Sequence, residues 1–330
     1  METKQKSNVF AIGVMFLLFF MIAFVTNFAG SMGVIVQNQF GASNAMAQLG
    51  TLANFIAYAC MGIPGGLILK RKGYKFTSLL AAAIGFVGVG IQFASGYAES
   101  FGVYVLGAFV AGFSMCLLNL VVNPMLNTLG GGGNRGNQLV QVGGSFNSLM
   151  GTAVIFLTGV FVPSIVDAKI SQVFPLMFIA LAIFALAFVV ILFTNVPETE
   201  RVERIASANE SKIGPMSFRH FVLGAIAIFI YVGVEVGIPN VLQKWLQNGG
   251  LGLDMCPLCG SPMGNAESIA ATVAATYWLL MFFGRLGGAA LGSIFSAKSM
   301  LTAVSLLGLA LVGGAMILDP AITVNLPVFK

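Results

Sequence analysis

Nine runs of about 20 predominantly apolar residues punctuate this 330-residue chain. Folded as helices rising about 1.5 Å per residue, each can cross a hydrocarbon core about 30 Å thick. They fall at Val9–Phe28, Ala45–Leu69, Phe76–Gly96, Phe101–Leu126, Leu139–Val162, Val173–Thr194, Phe221–Trp245, Ile269–Leu291 and Met300–Leu318. Charge confirms that the solvent is lipid: only 8% of residues are Asp, Glu, Lys or Arg, against about 25% in a soluble domain. A soluble enzyme and a disordered chain are excluded on that ground, and four Cys cannot staple a secreted scaffold. The first run follows Lys4 and Lys6 as a signal peptide would, but it is too long and no Ala-x-Ala site closes it, so it reads as a retained helix.

Alternating the spans across a bilayer sorts the basic residues. Lys4, Lys6, Lys70, Arg71, Lys72, Lys75, Arg135, Arg201, Arg204, Lys212, Arg219, Arg285 and Lys298 fall on the N-terminal side; Lys169, Lys244 and Lys330 fall on the other. That asymmetry places the N-terminus in the cytoplasm and the protein in the cytoplasmic (inner) membrane as a multi-pass chain. It also explains a pI near 9.1 without nucleic acid as a partner.

The charged stretch Asn195–His220 divides the spans, six before and three after. The expected organisation is a six-helix bundle over 1–194, a cytoplasmic linker over 195–220 and a partial bundle over 221–330. Gly62 and Gly66 near the end of the second span, and Gly284 and Gly288 near the end of the eighth, sit at equal offset in the two halves. Each pair is Gly-x-x-x-Gly, a pattern that lets helices approach closely. The duplication implies a parallel repeat, a second bundle of six helices, and hence a chain short by about three.

Ten of the eleven acids lie in loops or at span ends; Glu235 alone sits in mid-span, within Tyr231-Val-Gly-Val-Glu-Val-Gly-Ile-Pro239. An ionisable group in hydrocarbon is by default a functional candidate. Desolvation favours its neutral form, which suits a group that takes up and releases a proton or cation. Lys244 is too far along the helix to neutralise it, whereas Tyr231, one turn away, is within hydrogen-bonding reach. Pro239 has no N–H, so the Glu235 carbonyl is expected to lack its helical partner.

Asn119, Asn123 and Asn127 share a face of the fourth span, Asn147 lies between Gly143 and Gly151 in the fifth, and Asn27 and Ser31 flank Gly30 in the first. Taken singly, such amides are interhelical bonds worth about 1 kcal/mol. Together they suggest a polar cavity, in which Trp278 or Trp245 supplies a stacking face. No Lys or Arg is expected at mid-membrane, because Arg285 and Arg135 lie toward the cytoplasm. That favours a neutral ligand.

Two motifs weigh less. Cys256-Pro-Leu-Cys259 supplies half of a zinc site, and Cys60, Cys116 and His220 are placed too far away to complete it, so no metal is expected and the loop is plain or redox-active. Gly130–Gly133 before Arg135 lacks the ending of a phosphate-binding loop and reads as a flexible connector.

Gly66-Leu-Ile-Leu-Lys-Arg-Lys-Gly73-Tyr-Lys75 resembles the loop motif after the second helix of major facilitator transporters, with Lys70 where many have Asp. Leu118-Asn-Leu-Val-Val-Asn-Pro124 is similar to a Leu-Glu-Thr-Ala-Ala-Asn-Pro segment of the fucose–proton symporter family. Phe146-Asn147-Ser148, Tyr231-Val-Gly233 and Phe282-Phe-Gly-Arg285 follow in that family's order. The resemblance implies an all-α integral membrane fold of major facilitator type, with substrate between two bundles exposed alternately to each side. It carries Asn147 over as a substrate ligand and Gly66, Arg71, Gly73 and Arg285 as gating positions. Asn119 stands where the family has Glu, and the first helix has no acid, so coupling passes to Glu235, as in the family's glucose and galactose relatives.

The expected function is inward transport of a neutral monosaccharide with a cation, H⁺ first and Na⁺ as the alternative. Asn27, Asn119, Asn123, Asn147 and Trp278 are the expected substrate ligands; Glu235 and Tyr231 are the expected coupling pair. No cofactor is implied, and a monomer in the lipid bilayer is expected. Efflux of a drug or metabolite, and a non-transporting membrane sensor, are the competing readings. A membrane enzyme is disfavoured because no acid or His pair has catalytic spacing at either face.

Overall fold

The computed structural model describes residues 2–161, 169–194, 196, 217–247 and 266–317. Those residues are helical almost throughout, because within a bilayer only a helix satisfies its own backbone polar groups segment by segment. The helices are α1 (Glu2–Phe40), α2 (Asn44–Ala47), α3 (Leu49–Ala98), α4 (Phe101–Leu129), α5 (Gly133–Phe161), α6 (Phe174–Phe193), α7 (Arg219–Gln247), α8 (Ala266–Leu291) and α9 (Ala297–Ile317). A 3₁₀ turn, Ile170–Val173, leads into α6. As far as it is described, each expected span falls on these helices, the second straddling α2 and α3 and the third lying on α3.

Local chemistry sets the breaks. Gly41, at φ 57°, stops α1, and the Ser43 hydroxyl caps α2 by accepting from the Met46 N–H at 3.3 Å. Gly73, at φ 79° and ψ −179°, adopts a conformation essentially closed to other residues and folds the 50 residues of α3 into two antiparallel crossings. Gly131, Gly132 and Gly133, all at positive φ, form the turn from α4 to α5. The N–H groups of Gly130, Gly131 and Gly132 donate to the carbonyls of Leu126, Thr128 and Asn127. They are thus spent on capping α4, and the connector reading stands against a phosphate cradle. α1 runs to Phe40, well past the expected Phe28, because the Thr26 hydroxyl and the Asn27 amide bond to carbonyls of their own helix rather than interrupt it.

Six of the described helices are long and apolar enough to cross a membrane. α5 and α8, which meet in the site below, are not among them. The protein is a multi-pass membrane protein, and among the described residues large apolar side chains such as Phe193 (83%) and Phe229 (81%) are exposed. The buried core lies between Val14 and Val196, with α4 at its centre, between the two crossings of α3. Small residues permit that approach: a Cβ on Gly88 would sit 2.6 Å from Ala111 N, and one on Gly107 would sit 2.7 Å from Gln92 N. Ser114 donates across to the Ala81 carbonyl at 2.7 Å.

The glycines expected to make close contacts do not. A Cβ on Gly62, Gly66 or Gly284 would meet nothing within 4 Å, and one on Gly288 would reach only the Met300 methyl at 3.9 Å. The helix buries the neighbouring Gly65 instead, where a Cβ would lie 2.8 Å from a Leu120 methyl. Gly-x-x-x-Gly alone does not say which side of a helix a partner occupies.

Beyond the linker region, of which only 196 and 217–220 are described, α8 lies along α5 and α7 packs on α8. α9 has no buried residue. α5 and α8 run antiparallel, with Gly292 against Gln138 at one end and Trp278 and Ile155 on walls of one cavity further along. The end carrying Gly292 and Gln138 is called the basic end below, since Lys70, Arg71, Lys72 and Lys75 around the Gly73 fold of α3, Arg135 in the first turn of α5 and Lys298 in the first turn of α9 lie there.

Candidate functional site

Where α1, α3, α5, α7 and α8 converge, they enclose a cavity of about 40 Å³. Its polar wall is Thr26, Asn27 and Ser31 of α1 with Thr51 of α3; Phe55, Ile155, Val236, Pro239 and Trp278 form the apolar remainder. A space of that size holds a few waters. Trp278 is half-buried, and its ring meets Tyr277 edge-on at 5.8 Å.

Of the expected ligands, the structure brings Asn27 and Trp278 together here. Asn119, Asn123 and Asn147 are half-buried but are not walls of this cavity. The amides turn back on their own helices: Asn27 Nδ2 donates to the Ala23 carbonyl at 2.8 Å, Asn119 Nδ2 to the Met115 carbonyl at 3.0 Å and Asn123 Nδ2 to the Asn119 carbonyl at 3.3 Å. The glycines around Asn147 serve a helix crossing rather than a ligand space, since Cβ atoms on Gly143 and Gly151 would lie 2.6 Å from Phe19 and 3.0 Å from Asn27. The Trp245 side chain, Cys256 and Cys259 lie outside the described residues.

The chief departure from expectation is at Glu235. Arg285 reaches it, Nη2 to Oε1 at 2.5 Å, so a cation does stand beside the mid-span carboxylate. Both side chains are largely withdrawn from solvent, Glu235 13% and Arg285 19% exposed. Charge placement by counting residues from a span end ignores the long stem of Arg, which carries its guanidinium away from its own Cα. Arg285 Nη1 also donates to the Gly144 carbonyl of α5 at 2.8 Å. Tyr231, 55% exposed, interacts with both members of the pair.

The Glu235 carbonyl is not left unpartnered by Pro239 either. It accepts from the Tyr277 hydroxyl at 3.2 Å. Tyr277, Met281 and Arg285 recur every four residues on one stripe of α8, so the sequence did carry a signal for a polar face directed at α7. Gly144 could not be found that way, because its contribution is a main-chain carbonyl. Among the expected gating residues, Gly73 makes the fold in α3, Gly66 and Arg71 lie outside the core, and Arg285 is paired with Glu235.

The site is thus an ion pair beside a small polar cavity within a helical bundle, and comparison with known proteins bears on its family. A family model described as the Major Facilitator Superfamily matches residues 14–329. The chain belongs to the Major Facilitator Superfamily. Among members of that superfamily, it is 26% identical over 306 residues to a glucose/galactose transporter of Brucella abortus, an alignment covering 90% of this chain and 71% of that one. A putative glucose/galactose transporter of Helicobacter pylori is 27% identical over 251 residues, 72% of this chain and 60% of the relative. In fold, the chain matches the crystal structure of a variant of the Escherichia coli fucose:proton symporter with a TM-score of 0.69 at 19% identity, covering 92% of this chain and 76% of that one.

Proposed function

We infer that this superfamily member carries a neutral monosaccharide across the cytoplasmic membrane by alternating access, coupled to H⁺ at Glu235. The observation that carries the reading is the Glu235–Arg285 pair, with Glu235 next to cavity residue Val236 and one turn from Pro239. A carboxylate and a guanidinium side by side leave the site without net charge, which suits an uncharged ligand. Hydroxyl and amide groups on one wall and an indole on another match a sugar, whose hydroxyls donate and accept while its C–H face stacks on an aromatic ring. The names of the relatives, glucose/galactose transporter and fucose:proton symporter, agree with both substrate class and ion. The proposed organisation is a bundle over 1–194, a linker over 195–220 and a second bundle from 221 on, with the N-terminus and the basic end in the cytoplasm.

The test is sugar-driven proton uptake into proteoliposomes holding the full chain, with glucose, galactose and fucose offered in turn. Uptake present in the parent and lost with Glu235→Gln supports the reading. Equal uptake in both refutes the role of Glu235, and binding of apolar cations in preference to sugars refutes the substrate class.

A further inference from the structure

In the seam between α4 and the two crossings of α3, three buried side chains carry a polar atom with no hydrogen-bond partner among the described residues. They are Asn54 Oδ1 and Gln92 Oε1 of α3 and the Tyr104 hydroxyl of α4. Tyr104 is 0% exposed and Asn54 and Gln92 are 2% exposed, so bulk solvent does not reach them. Buried polar groups are otherwise almost always paired, because an unpaired one loses its hydration and gains nothing in return. The other hydroxyls of the seam follow that rule. Ser95 donates to the Gln92 carbonyl at 2.6 Å, Ser114 to the Ala81 carbonyl at 2.7 Å and Ser78 to the Tyr74 carbonyl at 2.8 Å, so their protons are committed elsewhere.

Packing brings the three side chains to one level of the seam. A Cβ on Gly50 would lie 2.6 Å from the Tyr104 hydroxyl oxygen, so the phenol ends against the first crossing of α3. Asn54 is one turn further along the stripe that carries Gly50, and its Cα would lie 2.9 Å from a Cβ on Gly112 of α4. A helical side chain leans toward the start of its helix, which directs Asn54 back toward Gly50 and the hydroxyl. On the second crossing, Gln92 Cγ would lie 2.7 Å from a Cβ on Gly107, less than one turn from Tyr104 along α4.

We propose that Asn54, Gln92 and Tyr104 bind one water molecule in this seam. The unpartnered atoms are two amide oxygens, which accept, and a hydroxyl, which donates. A water complements that set: its two O–H groups donate to Asn54 Oδ1 and Gln92 Oε1, and its oxygen accepts from Tyr104. Three bonds of this kind, to groups otherwise unsatisfied, are what holds a water inside a protein. A monovalent cation would suit the amide oxygens but would leave the phenolic proton without an acceptor. Each bond reaches a different helical segment. The Gly73 fold joins the two crossings of α3 covalently at one end, and the water joins both of them to α4 at the other. The proposal does not depend on the carrier's substrate or coupling ion.

Radiolytic footprinting of the full chain in proteoliposomes tests it. X-rays generate hydroxyl radicals from bound as well as bulk water, so a buried ring is oxidised where a water touches it. Tyr104 should be oxidised at least about fivefold faster than Phe184, a ring buried to the same degree at 1% exposure, with the exposed Tyr97 reporting the bulk rate. Asn54→Leu and Gln92→Met, close in volume to the residues they replace, should each lower the oxidation of Tyr104 about fivefold and leave Tyr97 and Phe184 unchanged. Should a variant fail to fold, shown by loss of Phe184 protection, the comparison within the parent still decides. Protection of Tyr104 equal to that of Phe184 in the parent overturns the proposal, as does oxidation that either substitution in a folded variant leaves undiminished. Oxidation of Tyr104 that falls when sodium replaces choline in the buffer would put a cation in the site and overturns it as well.

Discussion

Cutting the Glu235–Arg285 pair from each side should destabilise the fold unequally, and cutting it from both sides should cost less than the two single losses combined. Removing one partner of a buried pair costs about 3–5 kcal/mol because the survivor is left charged in low dielectric. Glu235→Leu strands Arg285, which is 19% exposed and keeps the Gly144 carbonyl, so the loss belongs at the lower limit, about 3 kcal/mol. Arg285→Leu strands a carboxylate, which can discharge by binding a proton as a guanidinium cannot, and about 2 kcal/mol is expected. In the double variant neither charge remains and two leucines fill the space, so the loss is again about 2 kcal/mol, most of it from the Gly144 and Tyr231 contacts. The coupling energy from the cycle is therefore about 3 kcal/mol. Equilibrium unfolding in mixed detergent micelles of rising SDS fraction, followed by intrinsic fluorescence, measures all four proteins. Additivity within about 0.5 kcal/mol would show that the two side chains do not support one another and would remove the basis for any concerted role.

Two backbone predictions use the same unfolding assay. Gly88→Val places a side chain against the Ala111 main chain and should cost about 3 kcal/mol or more, whereas Gly62→Val, in open space, should stay within about 0.5 kcal/mol; equal losses would mean that the α3–α4 crossing is misplaced. Gly73→Ala forces a Cβ into a region that tolerates glycine almost alone and should cost about 1–3 kcal/mol, while Gly66→Ala in the same loop motif should be neutral.

What could be read from the sequence and what could not divides along physical lines. Apolar length is a property of a segment by itself, so the spans from Phe76 to Gly96 or Met300 to Leu318 needed no knowledge of neighbours to be placed on helices. Glycine in a turn is similar: Gly73 and Gly131–Gly133 break helices through their own φ. Contact partners are properties of pairs. Gly62 and Gly66 carry the same local pattern as a helix interface yet face away from one, while Gly88, Gly107 and Gly144 make the close approaches. The small-residue rows along α3 and α4 held that information only jointly.

The polar residues follow a rule that spacing along the chain conceals. A short amide or hydroxyl in a helix has the carbonyl four residues back within reach, and Asn27, Thr77, Ser78, Asn119 and Thr158 all donate to it. Such residues are satisfied at home, so a row of them need not mark a cavity. A guanidinium has five donors on a long stem and cannot find its acceptors on its own helix. Arg285 therefore reaches to α7 and α5, just as Tyr277, whose hydroxyl is carried beyond its own backbone, reaches to the carbonyl that Pro239 would otherwise leave unpartnered. Short side chains can also join elements, as Ser114 does to the Ala81 carbonyl and Asn127 to Asn137, but the contacts of α8 with its neighbours use long stems and several donors. α8 is thus the helix that ties the second group of helices to the first, through its Tyr277–Arg285 stripe, even though the asparagines of α4 are more numerous.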